Sequence, residues 1–150
     1  MSAVIDIRAA FETVLNAMSP ALATAWENVP FTPVAGTPYQ SVTMLLAQPE
    51  NPTFGDGFYR ERGYFQINLC YPSQSGTAAV LARAQLLRDT FPRGKWLHSN
   101  GAELTIDKTP EIAPGHIDGD RYVVPVRINF YANITGTDIL LTEQGGYLLI

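Results

Sequence analysis

The sequence predicts an α+β domain in which two amphipathic helices pack on one face of a mostly antiparallel sheet. Two segments repeat apolar residues at helical spacing, and five others have the alternation or composition of strands. Their order along the chain is α-β-β-β-α-β-β. Few helices combined with hairpin-linked strands are typical of α+β folds, and 150 residues suit one domain.

The first helix is predicted over residues 2–18, with Ser2 as the N-cap and Pro20 ending it. Asp6 and Arg8 are expected to face away from its apolar stripe. The residues of that stripe recur every three or four positions: Val4, Ile7, Phe11, Val14, Leu15 and Met18.

Three strands are predicted next, over residues 23–27, 40–47 and 59–72. The loop VPFTPVAGTP separates the first two, and its prolines remove ladder donors. The second strand, QSVTMLLA, becomes apolar on both faces, which favours a central place in the sheet. The third, YRERGYFQINLCYP, alternates strictly. Its apolar face has Phe65, Ile67, Leu69 and Tyr71, and its polar face has Arg60, Arg62, Tyr64, Gln66, Asn68 and Cys70.

The second helix is predicted over residues 76–90, closed by Pro92 and Gly94. Its stripe is Val80, Ala84, Leu87 and Phe91, and Arg83, Gln85, Arg88 and Asp89 are expected outside. Strands then follow from residue 103 and over residues 121–134. Pro125 cannot donate to a ladder, so the last strand is expected at a sheet edge or with a bulge.

Composition excludes several functional classes. The net charge of −4 and the pI near 5.0 leave no basic footprint for nucleic acid. The apolar runs are far shorter than the roughly 20 residues of a membrane span, and the N-terminus does not resemble a signal peptide. Cys70 is the single cysteine, so it can form no disulfide within the chain. A reducing compartment is the simplest interpretation.

Candidates for chemistry are weak, so neither an enzyme nor a cofactor is expected. His98 and His116 lie in predicted loops without partners at metal-ligand spacing. Asp118 and Asp120 have the spacing of a calcium loop, but the third ligand, the glycine and the final glutamate are missing. A turn before a strand is the better interpretation. Cys70 is interpreted as a small strand residue rather than a nucleophile.

Two runs resemble the tail-terminator family of long-tailed bacteriophages. They are GYFQINLCYPSQSGTAAVLARAQLLRDTFPRGKWL and ELTIDKTPEIAPGHIDGDRYVVPVRINFYA, and the similarity extends over about residues 5–132. The resemblance implies a non-catalytic α+β subunit that forms a six-membered ring at the head-proximal end of the tail tube. Such a ring halts tube polymerisation and joins the head, with DNA passing through its lumen. Implied partners are other copies, the major tail tube protein and a head-completion or neck protein, and implied locations are the virion tail and, during assembly, the host cytoplasm.

The polar face of the third strand allows two interpretations. One is ordinary solvation of a one-sided sheet. The other is a subunit interface through Arg60, Arg62, Tyr64, Gln66 and Asn68. In that case the arginines are expected to meet acids of a neighbouring subunit, and the candidate acids are Glu111, Asp118 and Asp120.

Two further segments are expected to make contacts outside the domain of residues 1–134. The loop of residues 48–57 is predicted to touch tube or neck through Asn51, Phe54 and Asp56. Residues 135–150 form a C-terminal tail that is interpreted as an interaction arm or as loosely ordered chain. Its apolar candidates are Ile139, Leu140, Leu141, Tyr147, Leu148 and Leu149.

Two other functions remain open from the sequence alone. One is a different neck or connector protein of the virion. The other is a small-molecule-binding or enzymatic α+β domain whose pocket the sequence does not reveal.

Overall fold

The structure is a computed structural model that describes residues 3–55, 57–99 and 102–135, and in them it confirms the α+β prediction. The helices are α1 (Ala3–Asn16) and α2 (Ala78–Thr90). The strands are β1 (Ala23–Ala25), β2 (Tyr39–Leu46), β3 (Phe58–Pro72), β4 (Trp96–Ser99), β5 (Ala102–Ile106), β6 (Glu111–Ile112), β7 (His116–Asp118) and β8 (Arg121–Thr135).

The strands of the described residues form one mostly antiparallel sheet in the order β1-β2-β3-β8-β5-β4, with β6 and β7 also paired to β8. Its centre is the long ladder between β3 and β8, which runs from Phe58 opposite Thr135 to Pro72 opposite Arg121. The β1–β2 pair is parallel. The two ends of the β3–β8 ladder are about 45 Å apart along the strands, at roughly 3.3 Å per residue.

Both helices contribute to the core on one face of this sheet. Phe11 of α1 stacks on Phe65 of β3 with ring centroids 4.4 Å apart, and it meets Phe130 of β8 edge-on. Val80, Ala84 and Leu87 of α2 are buried in the same cluster, as their spacing predicts. The opposite face of the sheet, called here the outer face, carries the alternate residues of β3 and β8.

Two residues that helical spacing places outside are instead buried. Asp6 of α1 is 5% exposed and Arg83 of α2 is 6% exposed. Periodicity only shows which residues lie on the main apolar stripe, whereas neighbouring loops can cover the flanks. Ser2, the predicted N-cap, lies outside the described residues.

The C-terminal half of β2 is not central, in contrast to the prediction. β1 covers β2 only at Tyr39, Gln40 and Ser41. Beyond that point, Leu45 and Leu46 are exposed, and the Glu27 carboxylate accepts a hydrogen bond from the Met44 backbone N–H at 2.9 Å. A charged side chain on an open strand edge limits edge-to-edge pairing.

Pro125 also lies in a different setting from the predicted edge or bulge, because β8 has strands on both sides. The ladder residues Ser73 and Asp120 are hydrogen-bonded at 3.0 Å, so the alternation of an antiparallel pair leaves Pro125 and Asn68 at a non-bonded position. The side of Pro125 on which another residue would present its N–H therefore faces away from β3, into the gap between β6 and β7. Pro125 is tolerated because β8 is paired on this side with two short strands, β6 and β7, and the proline lies between them.

No helix in the described part of the chain has both the length and the apolarity needed to cross a membrane.

Glu61 gives a prediction about pH. It is buried on β3, and burial raises the pKa of its carboxyl above the ordinary 4.5. A raised folded-state pKa favours the folded protein at low pH, and this contribution is lost as the pH rises through that pKa. We therefore expect Glu61→Gln to raise the Tm at pH 7 by up to the ~2–4 °C that about 1 kcal/mol produces in a domain of this size.

Thermal melts from pH 4 to pH 8 provide the measurement. The difference between variant and native protein should shrink as the pH falls toward 4. Glu111→Gln, at an exposed position of β6, is the matched control and should leave the Tm unchanged. A lower Tm for Glu61→Gln at pH 7 would contradict this account.

Candidate assembly surfaces

The outer face is organised by arginine side chains stacked on tyrosine rings. The guanidinium carbons of Arg60 and Arg62 lie 5.0 and 5.5 Å from the ring centroid of Tyr131, and that of Arg127 lies 5.4 Å from the ring of Tyr64. Such stacks hold long side chains in one geometry. Tyrosine and arginine are also the residue types enriched in the energetic centres of protein interfaces.

Amide side chains extend this arrangement toward the middle of β3. Arg127 Nε donates to Gln66 Oε1 at 2.9 Å, and Gln66 Nε2 donates to Asn68 Oδ1 at 2.9 Å. The sequence-predicted residues Tyr64, Gln66 and Asn68 are thus brought together with Arg127 of β8. The alternation along β3 alone does not show that Arg127 belongs to this group of side chains. Arg127 belongs to it because it lies opposite Gln66 in the β3–β8 ladder.

Arg62 already has acidic partners in its own subunit, which corrects the premise that it needs them from a neighbour. Its Nε lies 3.0 Å from Glu50 and its Nη1 lies 3.2 Å from Asp107. Glu50 in particular raises the pKa of Arg62. Arg60 differs, since it donates at 2.8 Å to the neutral Asn133. Among the described residues, no carboxylate lies within ion-pair distance of Arg60.

The three candidate acids do not form one cluster. Asp118 and Asp120 flank the β7–β8 turn at the far end of the ladder, whereas Glu111 is paired opposite Arg127 nearer its middle. About 33 Å of β8 separates Tyr131 from Arg121, at ~3.3 Å per residue. Arg60 and Arg62 on one side, and the exposed Asp118 and Asp120 on the other, therefore lie toward opposite ends of the β3–β8 ladder.

Arg121, the first residue of β8, is a structural residue. It is buried, and its guanidinium donates to the carbonyls of Thr37 at 2.5 Å and Val34 at 2.7 Å while lying over the ring of Tyr39. These bonds attach the proline-rich loop before β2 to the start of β8. Because Arg121 is committed to carbonyl groups, the nearby Asp120, 3.8 Å away and largely exposed, keeps its charge toward solvent.

The predicted contact loop is shorter than the sequence indicates. Glu50 and Arg60 form a two-bond backbone bridge, both bonds 2.9 Å long, which extends the β2–β3 hairpin by several residues. Beyond this bridge Asn51 is exposed and Phe54 is fully exposed. Asp56 lies outside the described residues, as do the six tail candidates from Ile139 to Leu149.

Cys70 lies at the end of the polar face of β3 and is buried. Burial raises the pKa of its thiol, which disfavours the reactive thiolate. Within the described ranges, no three histidine, cysteine, aspartate or glutamate side chains are grouped as metal ligands would be.

Two solved structures are similar to this protein over most of its length. One solved structure, which carries no functional name, is 28% identical, with a TM-score of 0.72, and the match covers 88% of this chain and 96% of that one. A second, from the virion of a native gene transfer agent particle, is 19% identical, with a TM-score of 0.61 and coverage of 90% and 98%, and so shares the fold. Among curated proteins, none matches this chain.

These structures share the α+β fold of this chain. A family model described as phage tail terminator protein matches residues 6–130 of this chain, well over half its length. The chain belongs to the phage tail terminator family. Its role is therefore a structural one in the phage tail, as a component of the virion.

Proposed function

We propose that copies of this protein close head to tail into a six-membered ring that caps the head-proximal end of the tail tube. The ring stops tube polymerisation and presents the surface for head joining. Its partners are its own copies, the major tail tube protein and a head-completion or neck protein, and DNA passes through its lumen without specific binding. Assembly takes place in the host cytoplasm.

The observation that carries this proposal, beside family membership, is the outer face. Both helices pack on the other side of the sheet, so the stacked arginines and tyrosines of β3 and β8 face away from the core. A pre-ordered set of such side chains loses little conformational entropy on binding. This face therefore suits a protein contact better than a merely solvated surface.

The separation of charges supports a head-to-tail contact. Among the residues that the structure describes, Arg60 has neutral partners only, near one end of the β3–β8 ladder, and Asp118 and Asp120 are exposed at the other. Two different surfaces that meet between copies generate a ring when the rotation closes. Each exposed ion pair contributes only about 0.2–1 kcal/mol, so these charges would set register while the tyrosines supply affinity.

We expect the double variant Tyr64→Ala, Tyr131→Ala to lose ring formation while keeping its fold. Light scattering and negative-stain electron microscopy give the oligomer, and circular dichroism gives the fold. Thr13→Ala is the control, on an exposed position of α1 away from the outer face. The double variant should also fail to stop growth when added to polymerising tube protein.

Two results would contradict the proposal. One is native protein that leaves tubes growing without a cap at either end. The other is a folded double variant that still forms native rings, which would show the outer face to be solvated.

A further inference from the structure

A groove between the α1–β1 connection and α2 contains an arginine, Arg83, that pairs with no acidic side chain of the described residues. The volume of the groove is about 240 Å³. Its walls, apart from Arg83, are mostly apolar: Pro20, Leu22, Tyr71, Ala79, Ala82 and Leu86. None of the described residues that line it is acidic.

Arg83 is only 6% exposed, and its Nη1 donates to the carbonyl of Pro20 at 2.5 Å. Its Nε and Nη2 are buried without a hydrogen-bond partner among the residues that the structure describes. Burial also lowers the pKa of Arg83, which reflects the cost of a poorly compensated charge. A buried guanidinium with two free donors is matched best by a carboxylate, which accepts both bonds.

The groove is therefore complementary to an apolar peptide that carries an acidic side chain. The sequence after β8 contains such a peptide. The segment of residues 136–150 has two acids, Asp138 and Glu143, and no lysine or arginine. In an extended peptide, side chains two positions apart share a face. Ile139, Leu141 and Glu143 then form one face with two apolar groups followed by a carboxylate, whereas Asp138 lies on the other.

We propose that Ile139, Leu141 and Glu143 of one subunit dock in the groove of a neighbouring subunit, with the Glu143 carboxylate on Arg83. The distance favours a neighbour over the same chain. The described chain ends at Thr135, opposite Phe58, while the groove lies beside Tyr71, about 43 Å farther along β3. The eight residues from Thr135 to Glu143 span at most about 29 Å.

This inference rests on the proposed ring, because a tail that leaves one end of the ladder and docks at the other end of the next copy is a head-to-tail contact. It adds a second, separate contact to that of the outer face. It also specifies the partner of the C-terminal segment as another copy of this chain.

The decisive experiment uses charge reversal in the full chain. Arg83→Glu alone and Glu143→Arg alone should each weaken the oligomer at least tenfold in light-scattering titrations. An equimolar mixture of the two variants should recover it, because every groove then meets a complementary tail from the other variant. Arg83→Met, which introduces no buried acid, covers the case in which Arg83→Glu fails to fold. Asp138→Asn is the matched control and should behave as native.

A photo-crosslinker at position 140, in a mixture of ¹⁴N- and ¹⁵N-labelled native chains, tests contact independently of assembly. Mixed-isotope crosslinks to residues 20–22 or 79–86 are expected. Native rings with no effect of Glu143→Arg, or crosslinks only within one chain, would overturn the docking and leave the ring intact. Crosslinks between chains that form no ring would overturn the ring and leave the docking. Neither rings nor such crosslinks would overturn both.

Discussion

Gly63→Ala should unfold the hairpin of β2 and β3 and lower the free energy of unfolding by more than about 4 kcal/mol, a rare loss for one substitution. A Cβ at this position would lie 2.2 Å from the Leu45 carbonyl oxygen and 3.1 Å from the Leu46 Cα. These are backbone atoms of the paired strand, so no side-chain rotation can relieve the contact. The strands would have to separate where β2 has no other neighbour.

Urea denaturation measures the loss, and hydrogen exchange locates it. The Ala47 and Glu50 amides, which donate to carbonyls of β3, should lose protection first. Gly76→Ala is the control, because a Cβ there meets nothing within 4 Å and only the left-handed backbone is strained. That variant should lose about 1 kcal/mol. Equal losses in the two variants would refute the steric explanation.

Replacing residues 51–57 by Gly-Asn-Gly should abolish tail assembly while leaving thermal stability within about 1 kcal/mol. The replacement keeps the Glu50–Arg60 bridge and the ion pair between Glu50 and Arg62, which a deletion from Gln48 would remove. Phe54 is fully exposed, so the folded subunit gains nothing from it. We propose that this exposed phenyl side chain contacts tube or neck protein.

Phe54→Ser separates this contact from the shape of the loop. It should reduce the yield of capped tubes seen by electron microscopy, without a change in oligomer size or in Tm. Thr53→Ser, in the same exposed segment but not among the candidate contacts, is the control for loop chemistry. Normal yields of capped, infectious tails from the shortened loop would exclude a role for it.

The arrangement of these surfaces also decides which arginine can test the proposed interface. Reversing the charge of Arg62 is a poor test of an interface, because it would place a third acid beside Glu50 and Asp107 and weaken the subunit itself. Arg60 is the better position. Its partners, Asn133 and Tyr131, carry no charge that a reversal would oppose.

The sequence by itself determined the two helices and the longer strands and showed which face of those strands is apolar, whereas the short strands β4, β6 and β7, with His98 and His116, were predicted as loops or connections. The period-2 alternation of Phe65, Ile67 and Leu69 and the helical spacing of Ile7, Phe11 and Leu15 are local properties, and the structure buries all six. Family resemblance was carried by the same local order. These predictions succeed because burial of an apolar face depends on spacing within one element.

Tertiary structure alone decided where the charged groups find partners. Arg62 meets Glu50 and Asp107, Arg121 reaches Val34, and Arg83 is covered by Pro20. Each contact joins residues far apart in the chain, and no periodic pattern records it. Electrostatic and hydrogen-bond partners depend on distances of a few ångströms between separate elements. Only the packed sheet shows that Arg62 is paired with acidic side chains and that Arg83 is paired with none among the described residues.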